Sequence, residues 1–596
     1  QGVFAFTNAG IELRDVIGRI EGNAVKINGH VTGYSPDAPL DLKISSLEGE
    51  QIVLPQEIRW INSLPPVVRE TYDHLRPRGA AELSIELNRA TRGDRVDVQG
   101  AINIRDGGFT FDKFPYPIDR ATGRIIFGPD AKLGVDALEL VNLQGYGVRG
   151  GPNENSVVRI DGLIAPLKGD AGVDIRISGK GIATEPMLMQ SFPPVTRRAL
   201  SSLDAPGKGE YPTFTGDFVC SVLRPPGPRQ PWSTDVDIDV RDGQGAVVAF
   251  PYFMSGIRGQ VKVRKDHVEI VQATMERDGA RLVIDGKVEW GDIDGVPRRA
   301  GEPTIRPKLT ITARNAPIDD NLLNALPETH RTWLQRLGLS GRFDLAGVVE
   351  TRSSRSGESL GTGFEFLVTL NDATLWPKDG TFAVTRINGD IDLKPESMTL
   401  RNLTGRRNDA DMSARGTVAW PNNQPSIDLS GEATNLELDS PLYQILPRAG
   451  QVGWEMVAPL GTVDARVAFK GNMADGSRPT YAITLKPRKL AVRPNVFPAK
   501  FSEVTGDVSI TPEAVVLSDL IARRGESRIS LAGAGDLASG VWDLKLSADR
   551  VSIDPELVAA MPATVGELVK SAEMAGVYDV LFRKLRYIAP KEPSQA

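Results

Sequence analysis

One phrase of sequence keeps returning, and its period limits the fold more than any other feature. In the copy IDDNLLNALPETHRTWLQRLGLSGRFDL, residues 318–345, the pattern predicts a short helical turn over 321–326, a proline, and a longer helix ending at Gly338. Asp319 or Asp320 can cap the first turn. Pro327 suits the first position of the second helix, where no N–H is needed, and glycine suits a left-handed exit. A strand-like Gly341-Arg-Phe343-Asp344-Leu345 follows. Comparable phrases run from Pro55 to Pro65 before Gly79-Ala-Ala81-Glu82-Leu83, and from Glu185 to Pro193 before Gly216-Asp-Phe218-Val-Cys220. Two more run from Ser440 to Pro447 before Gly461-Thr-Val463-Asp464-Ala465, and from Asp554 to Pro562 before Gly576-Val-Tyr578-Asp579-Val580. The second prolines, at 65, 193, 327, 447 and 562, lie 128, 134, 120 and 115 residues apart. A strand-opening glycine keeps similar time at 18, 123, 259, 389 and 506. The period is too long for ankyrin or leucine-rich units, so each unit should be a small sheet plus a helical insertion. The units are placed at 1–92 (a truncated first repeat), 93–229, 230–356, 357–476 and 477–587, with 588–596 as a disordered tail.

Within a unit the segments between these helices alternate with period two. In the last one, YAITLKPRKLAV, FSEVTGDVSIT, EAVVLSDLIARR, SRISLAGAGDL and VWDLKLSADRVSID read as successive strands, and VYDVLF returns after the helices. Short links between consecutive strands favour an antiparallel meander over βαβ crossovers. The joints NRATRGDR, RPPGPRQPW, ETRSSRSGESLGTG and KGNMADGSRP are polar and rich in Gly, Pro and Ser, as exposed connections are. In the strand before each helix, Val173, Ile175 and Ile177, Leu309 and Ile311, Ile427 and Leu429, and Trp542, Leu544 and Leu546 share a face. Asp174, Arg176, Thr310, Asp428, Asp543 and Lys545 point the other way, so one face is aliphatic and the other wet. The aliphatic face needs a cover. Helices or a second sheet layer could supply it, but each unit offers one helical hairpin for about six strands. The alternative is a sheet curled into a trough whose inside stays apolar and open.

The chain has 596 residues, 40% hydrophobic and 24% charged, the balance of a folded polypeptide and not of a disordered one. A net charge of −6 with scattered basic residues gives no reason to expect nucleic acid as a partner. One cysteine, Cys220, rules out an internal disulfide framework and a multi-cysteine zinc site. No apolar run reaches the roughly 18 residues of a spanning helix. The opening Gln1-Gly2 enters in mid-pattern at VFAFTNAGIEL, as expected of a part of a longer protein or of a processed one.

Long units of antiparallel strands, one aliphatic face, a Pro-interrupted helical segment per unit, and phrases such as FDKFPYPIDRATGRIIF together resemble the AsmA-like superfamily. That superfamily comprises AsmA-, YhdP- and TamB-type bacterial envelope proteins and is related in architecture to eukaryotic bridge-like lipid transfer proteins. The fold class expected is mainly β with short helices: an elongated array of antiparallel β-meander repeats forming a curled groove, with one helix-Pro-helix insert per repeat. The resemblance implies a non-enzymatic conduit or holder of glycerophospholipids, supporting transport between the inner and outer membranes. Acyl chains would lie on Val173, Ile175, Ile177, Leu309, Ile311, Ile427, Leu429, Leu544 and Leu546 while headgroups stay in water. It implies a periplasmic location, an inner-membrane anchor in a segment outside this chain, membranes at the ends of the full-length protein, envelope protein partners, and no cofactor. About 25 strands stacked at about 4.8 Å would give a groove on the order of 120 Å. The competing expectation is an elongated envelope scaffold with no lipid cargo. An extended hydrolase on a β scaffold comes third.

Motifs for catalysis or metals find little context. Gly145-Tyr-Gly147-Val-Arg-Gly150 matches the dinucleotide fingerprint, but GPNENS follows it in place of a helix that could hold a pyrophosphate, so it reads as a turn. Gly357-Glu358-Ser359-Leu360-Gly361 matches the nucleophile elbow yet lies in a polar joint with no strand before it and no helix after it. His30, His74, His267 and His330 have no i, i+4 partners. Asp344, Asp464 and Asp579, with Glu82, recur once per unit. That suits a repeated outward polar residue and not a pair of catalytic acids. Trp60, Trp333 and Trp454 read as helix-packing anchors. The helical inserts are expected at one rim of the sheet, leaving the aliphatic floor continuous past them.

Overall fold

The structure is a computed structural model that describes residues 2–20, 22–48, 50–54, 66–112, 114–167, 170–192, 197, 213–247, 250–290, 305–326, 328–353, 359–377, 381–420, 424–446, 448–472, 479–495, 497–561 and 563–588. The five period-marking prolines, Trp60, the first half of the elbow-like motif and the residues after Ile588 lie outside these. Ile588 itself, placed in the tail by its sequence, ends the last strand, Val577–Ile588.

Thirty strands and eight short helices are described, and the chain is mainly β. Consecutive strands pair antiparallel, as their short links require, except that Leu40–Ser46 and Ile52–Leu54 both pair with Arg78–Arg89, and the sheet is not closed into a barrel. The order of elements recurs. Five strands are followed by the helical insert and a returning sixth strand, as in Thr480–Val492, Phe501–Ile510, Ala514–Arg524, Ser527–Asp536 and Val541–Ser552, the helices Pro555–Ala560 and Ala563–Ser571, and Val577–Ile588. Contacts gather the chain into two compact units. One holds residues 1–277, 283–309 and 354–359, and the other holds 278–282, 310–353 and 360–596.

In the first unit, strict register carries apolar residues straight across the sheet. Val16, Ile27, Ile44, Ile85, Gly100, Phe127, Leu138, Ile164 and Val173 are opposite one another on nine successive strands. Directly opposed residues share a face, so this line forms one apolar wall and feeds the unit's core. In the second unit the corresponding line runs over ten strands: Gly405, Met412, Ala433, Ala465, Leu485, Val508, Leu517, Gly533, Leu544 and Leu585.

The helical inserts start where the sequence places a cap. Asp319, Asp439 and Asp554 accept the backbone N–H of Leu322, Leu442 and Leu557 at 2.9, 3.0 and 2.7 Å, opening the helices Asp320–Ala325, Ser440–Ile445 and Pro555–Ala560. Gly338 leaves the helix Glu328–Leu337 at φ 59°, the left-handed exit expected of it. In the second unit six strands separate one insert from the next, and in the first unit six strands likewise separate the helix Pro66–Leu75 from Pro186–Ser191. An even number of reversals brings the chain back to the edge it left. Within each unit the inserts therefore share one rim, and the polar joints occupy the opposite one.

The recurrent aspartate after each insert has a structural task. The strand before the insert takes positive φ at Asn315, Asn435 and Arg550, of 54, 59 and 57°, and at the last two the register with the returning strand slips. The backbone N–H of each donates in turn to Asp344, Asp464 or Asp579 on the returning strand, at 2.6, 2.9 and 2.8 Å. In the second repeat Asp217 does the same for Gly181 at 2.8 Å. Glu82 departs from the pattern. The strand opposite it is broken into Leu40–Ser46 and Ile52–Leu54, and Glu82 pairs with Arg105 instead. The Arg488 side chain, first, and the Asn435 N–H hold the Asp464 carboxyl below its ordinary pKa. A depressed folded-state pKa stabilises above the unfolded value near 3.9, and that contribution is lost as pH falls through the folded one. Asp464→Asn should thus lower stability at pH 7 by about 1 kcal/mol or less, since the pair is water-exposed. Thermal melts at descending pH should show the two proteins converging below about pH 4.

Candidate functional site

The residues proposed to hold acyl chains fall on the apolar face of the pre-helix strands, and their outward neighbours Asp174, Arg176, Thr310, Asp428, Asp543 and Lys545 are exposed. Burial along these strands is graded. Toward the helical rim the face is sealed by small or tightly packed residues: Ile182 in the first unit, and Ala313, Ala316, Ala433, Leu436 and Ala548 in the second. In mid-strand, Val173, Ile175, Ile177 and Leu309 of the first unit, and Ile311, Leu429, Leu544 and Leu546 of the second, are only half-buried. Ile427 differs: it lies opposite Val418 and is 8% exposed, a core position more than a surface.

Register extends each stripe to strands that carried no such signal. In the first unit Ile177 continues through Cys220, Val236, Val263 and Val268, all half-buried. In the second, Leu429 belongs to the row Val368, Ile391, Leu400, Gly416, Leu429, Phe469 and Tyr481, half-buried from end to end. A second row, Leu485, Val508, Leu517, Gly533, Leu544 and Leu585, behaves likewise. Sequence reading stopped at the pre-helix strands because alternation assigns faces within a strand, whereas only pairing tells which residues of different strands meet.

The helical inserts pack on the apolar face. Leu188 and Met189 of the helix Pro186–Ser191 are buried, and that helix packs on the strand Phe114–Asp130. Leu322 and Leu442 pack on the two clusters of the second unit, whose buried members include Ala316, Ala373, Leu436 and Val463 and against which Val368, Ile391 and Leu485 of the rows are also packed.

The opposite face is wet and nearly balanced in charge. Lys43 and Glu86 pair across strands at 2.9 Å, as do Arg105 and Glu82 at 3.0 Å, Arg401 and Asp392 at 2.5 Å, and Arg586 and Asp543 at 2.9 Å. Such exposed pairs add little stability, but they mark the surface that water covers.

Among the described residues no group of three or more His, Cys, Asp or Glu could hold a metal ion. His74 meets Asp112, and His267 meets its neighbour Asp266. Burial, then the charge of Asp235, pushes the Cys220 thiol up to about 11, so it stays protonated at neutral pH. After Gly145–Gly150 the chain makes turns in place of a helix. Asn153 is clamped there, donating to Ala183 O and Glu185 at 2.8 Å and accepting from Ala183 N at 2.7 Å. No described helix is long and apolar enough to cross a membrane, a statement that does not bear on strands.

Fold and surface thus define a class: an antiparallel meander protein with one face of half-covered aliphatic rows and one of paired charges. No family model, curated protein or solved structure matches the chain.

Proposed function

We propose that the chain is a non-enzymatic conduit or holder of glycerophospholipids, with acyl chains on the aliphatic rows and headgroups in water. The setting we propose, on the resemblance of its repeats to AsmA-like proteins, is the bacterial periplasm, between the inner and outer membranes. One observation carries the reading. Rows of six and seven residues, large and apolar but for one glycine in each, run across consecutive strands in mid-sheet and remain half-buried, although the same strands are sealed nearer the helices. A protein whose sheet served only as a scaffold has no reason to leave such rows uncovered, since contiguous exposed apolar surface invites aggregation. For a lipid the same rows are an advantage. Each methylene kept from water contributes about 0.8 kcal/mol, and a surface without a specific pocket holds tails while letting them slide.

Native mass spectrometry and organic extraction of the chain, purified without detergent from bacterial membranes-plus-periplasm, should recover phospholipid at more than one molecule per chain. Lipid-free protein that remains monomeric and soluble would favour the scaffold instead.

A further inference from the structure

We infer that the bulge in the last strand, Val577–Ile588, forms a phosphate-binding site on the charged face of the sheet. Register between Val541–Ser552 and this strand slips in the middle: Leu544 is opposite Leu585 and Leu546 is opposite Phe582. One residue, Lys545, is therefore left facing two, Arg583 and Lys584. On its other side Lys545 is opposite Ala532, whose small side chain leaves an open depression of about 300 Å³ lined by Ala532, Gly533, Asp543, Leu544, Lys545, Arg583 and Lys584.

Three cations meet there with one carboxylate, and Arg586 already binds that carboxylate through two hydrogen bonds, at 2.9 and 3.3 Å. Lys584 feels the Asp543 charge, while Lys545 and Arg583 have no ion pair among the described residues. Elsewhere on the wet face Lys43, Arg105, Arg401 and Lys486 each meet an acid across the ladder, whereas here two of three neighbouring cations are left without one among the described residues. Like charges directly opposed on a sheet repel, and an anion between them turns that repulsion into attraction. A guanidinium and two ammonium groups offer more donors than a carboxylate can accept, and they suit the several oxygens of a phosphate. Leu544 and Leu585, half-buried, and Phe582, exposed, are beside the same bulge on the opposite, aliphatic face, so an amphiphile reaching round this last strand, whose pairing among the described residues is with Val541–Ser552, could place its phosphate on the cations and its tail on the aliphatic row. The lipid form of this inference rests on the proposed groove, whereas the phosphate chemistry stands without it.

The test uses the full chain and two probes: inorganic phosphate, followed by calorimetry, and flotation with phosphatidylcholine vesicles with and without phosphatidylglycerol. K545Q/R583Q/K584Q should weaken binding to the anionic vesicles about tenfold. K132Q/R176Q/K180Q, which removes the same charge from exposed sites in the first unit, should change it less than twofold. Retention on anionic vesicles that phosphate does not displace assigns the site to lipid headgroups. Saturable phosphate binding, lost in the first variant without vesicle binding, assigns it to the free ion. Equal losses in the two triple variants, or no binding of either probe by the unaltered chain, overturn the site. Leu429→Asp, distant in sequence and on the aliphatic floor, should spare phosphate binding, so failure of the groove and failure of this site read out separately. If the first triple variant does not fold, Lys545→Gln alone should still give a threefold or larger loss, and no loss overturns the site.

Discussion

Leu429→Asp should strip co-purifying lipid from the chain and leave it folded, whereas Val418→Asp should unfold the second unit. The two residues are on adjacent strands, with Leu429 opposite Gly416 and Val418 opposite Ile427, so local strand propensity and ladder position are closely matched. They differ in access to water. Val418 is 2% exposed, whereas Leu429 is half-buried in a row whose members are all half-buried. An unpaired carboxylate in a sealed core costs several kcal/mol, comparable with the stability of a whole domain. In a half-buried row the carboxylate keeps much of its hydration, but it breaks the continuous apolar surface on which a tail would lie. Circular dichroism and lipid extraction on the same preparations separate the outcomes. Unfolding by both substitutions would show that the row is core, and the proposal of an acyl-chain surface would fail with it.

Asp439→Ala should destabilise the second unit by about 3 to 5 kcal/mol, the cost of removing one partner from a buried ion pair. Arg407 projects from the strand Ser397–Arg407 with only 5% of its side chain exposed, its guanidinium 4.4 Å from the Phe382 ring and bonded to Asp439 at 2.5 Å. The other Asp439 oxygen caps Ser440–Ile445, so one carboxylate both neutralises a buried cation and begins a helix. Asp439→Asn separates the roles. The amide can keep the cap but not the charge, so a loss close to that of alanine assigns most of the effect to the stranded guanidinium. Urea titration of both variants measures the difference. The next repeat uses the same device more exposed, with Arg524 on Asp554 at 2.9 Å, and the corresponding change there should cost less.

Much of this architecture could be read from the chain, and the exceptions have a common cause. The period-two strands, the capped helical inserts and the glycine exit at 338 depend on neighbours within a few residues, which sequence displays directly. Gly389 and Gly506 were visible as markers, and their cause is now plain. Both have positive φ, 138 and 113°, and a Cβ on either would sit 2.2 and 2.5 Å from the carbonyl oxygen of Asn402 and Asp519 on the next strand. The recurrent aspartates looked merely outward-facing because their partner is a backbone N–H in another strand. A signal was present all the same: Asn315 and Asp344, Asn435 and Asp464, and Arg550 and Asp579 are each separated by 29 residues. The graded burial of the apolar face had no such trace. Ile427 and Leu429 share one alternation, and only the residues opposite them decide which is sealed.

The six-strand count of a repeat has a consequence for how such a chain can change length. Parity protects both borders of the sheet. Duplicating or deleting a whole repeat adds or removes an even number of reversals, so every later insert stays on its own side and every later row keeps its face. Gaining or losing one strand would send all subsequent inserts to the other border, where the charged joints belong. Growth by entire modules is therefore structurally silent, while growth by single strands is not. Natural variants of this chain should differ in length by steps of roughly 115 to 134 residues.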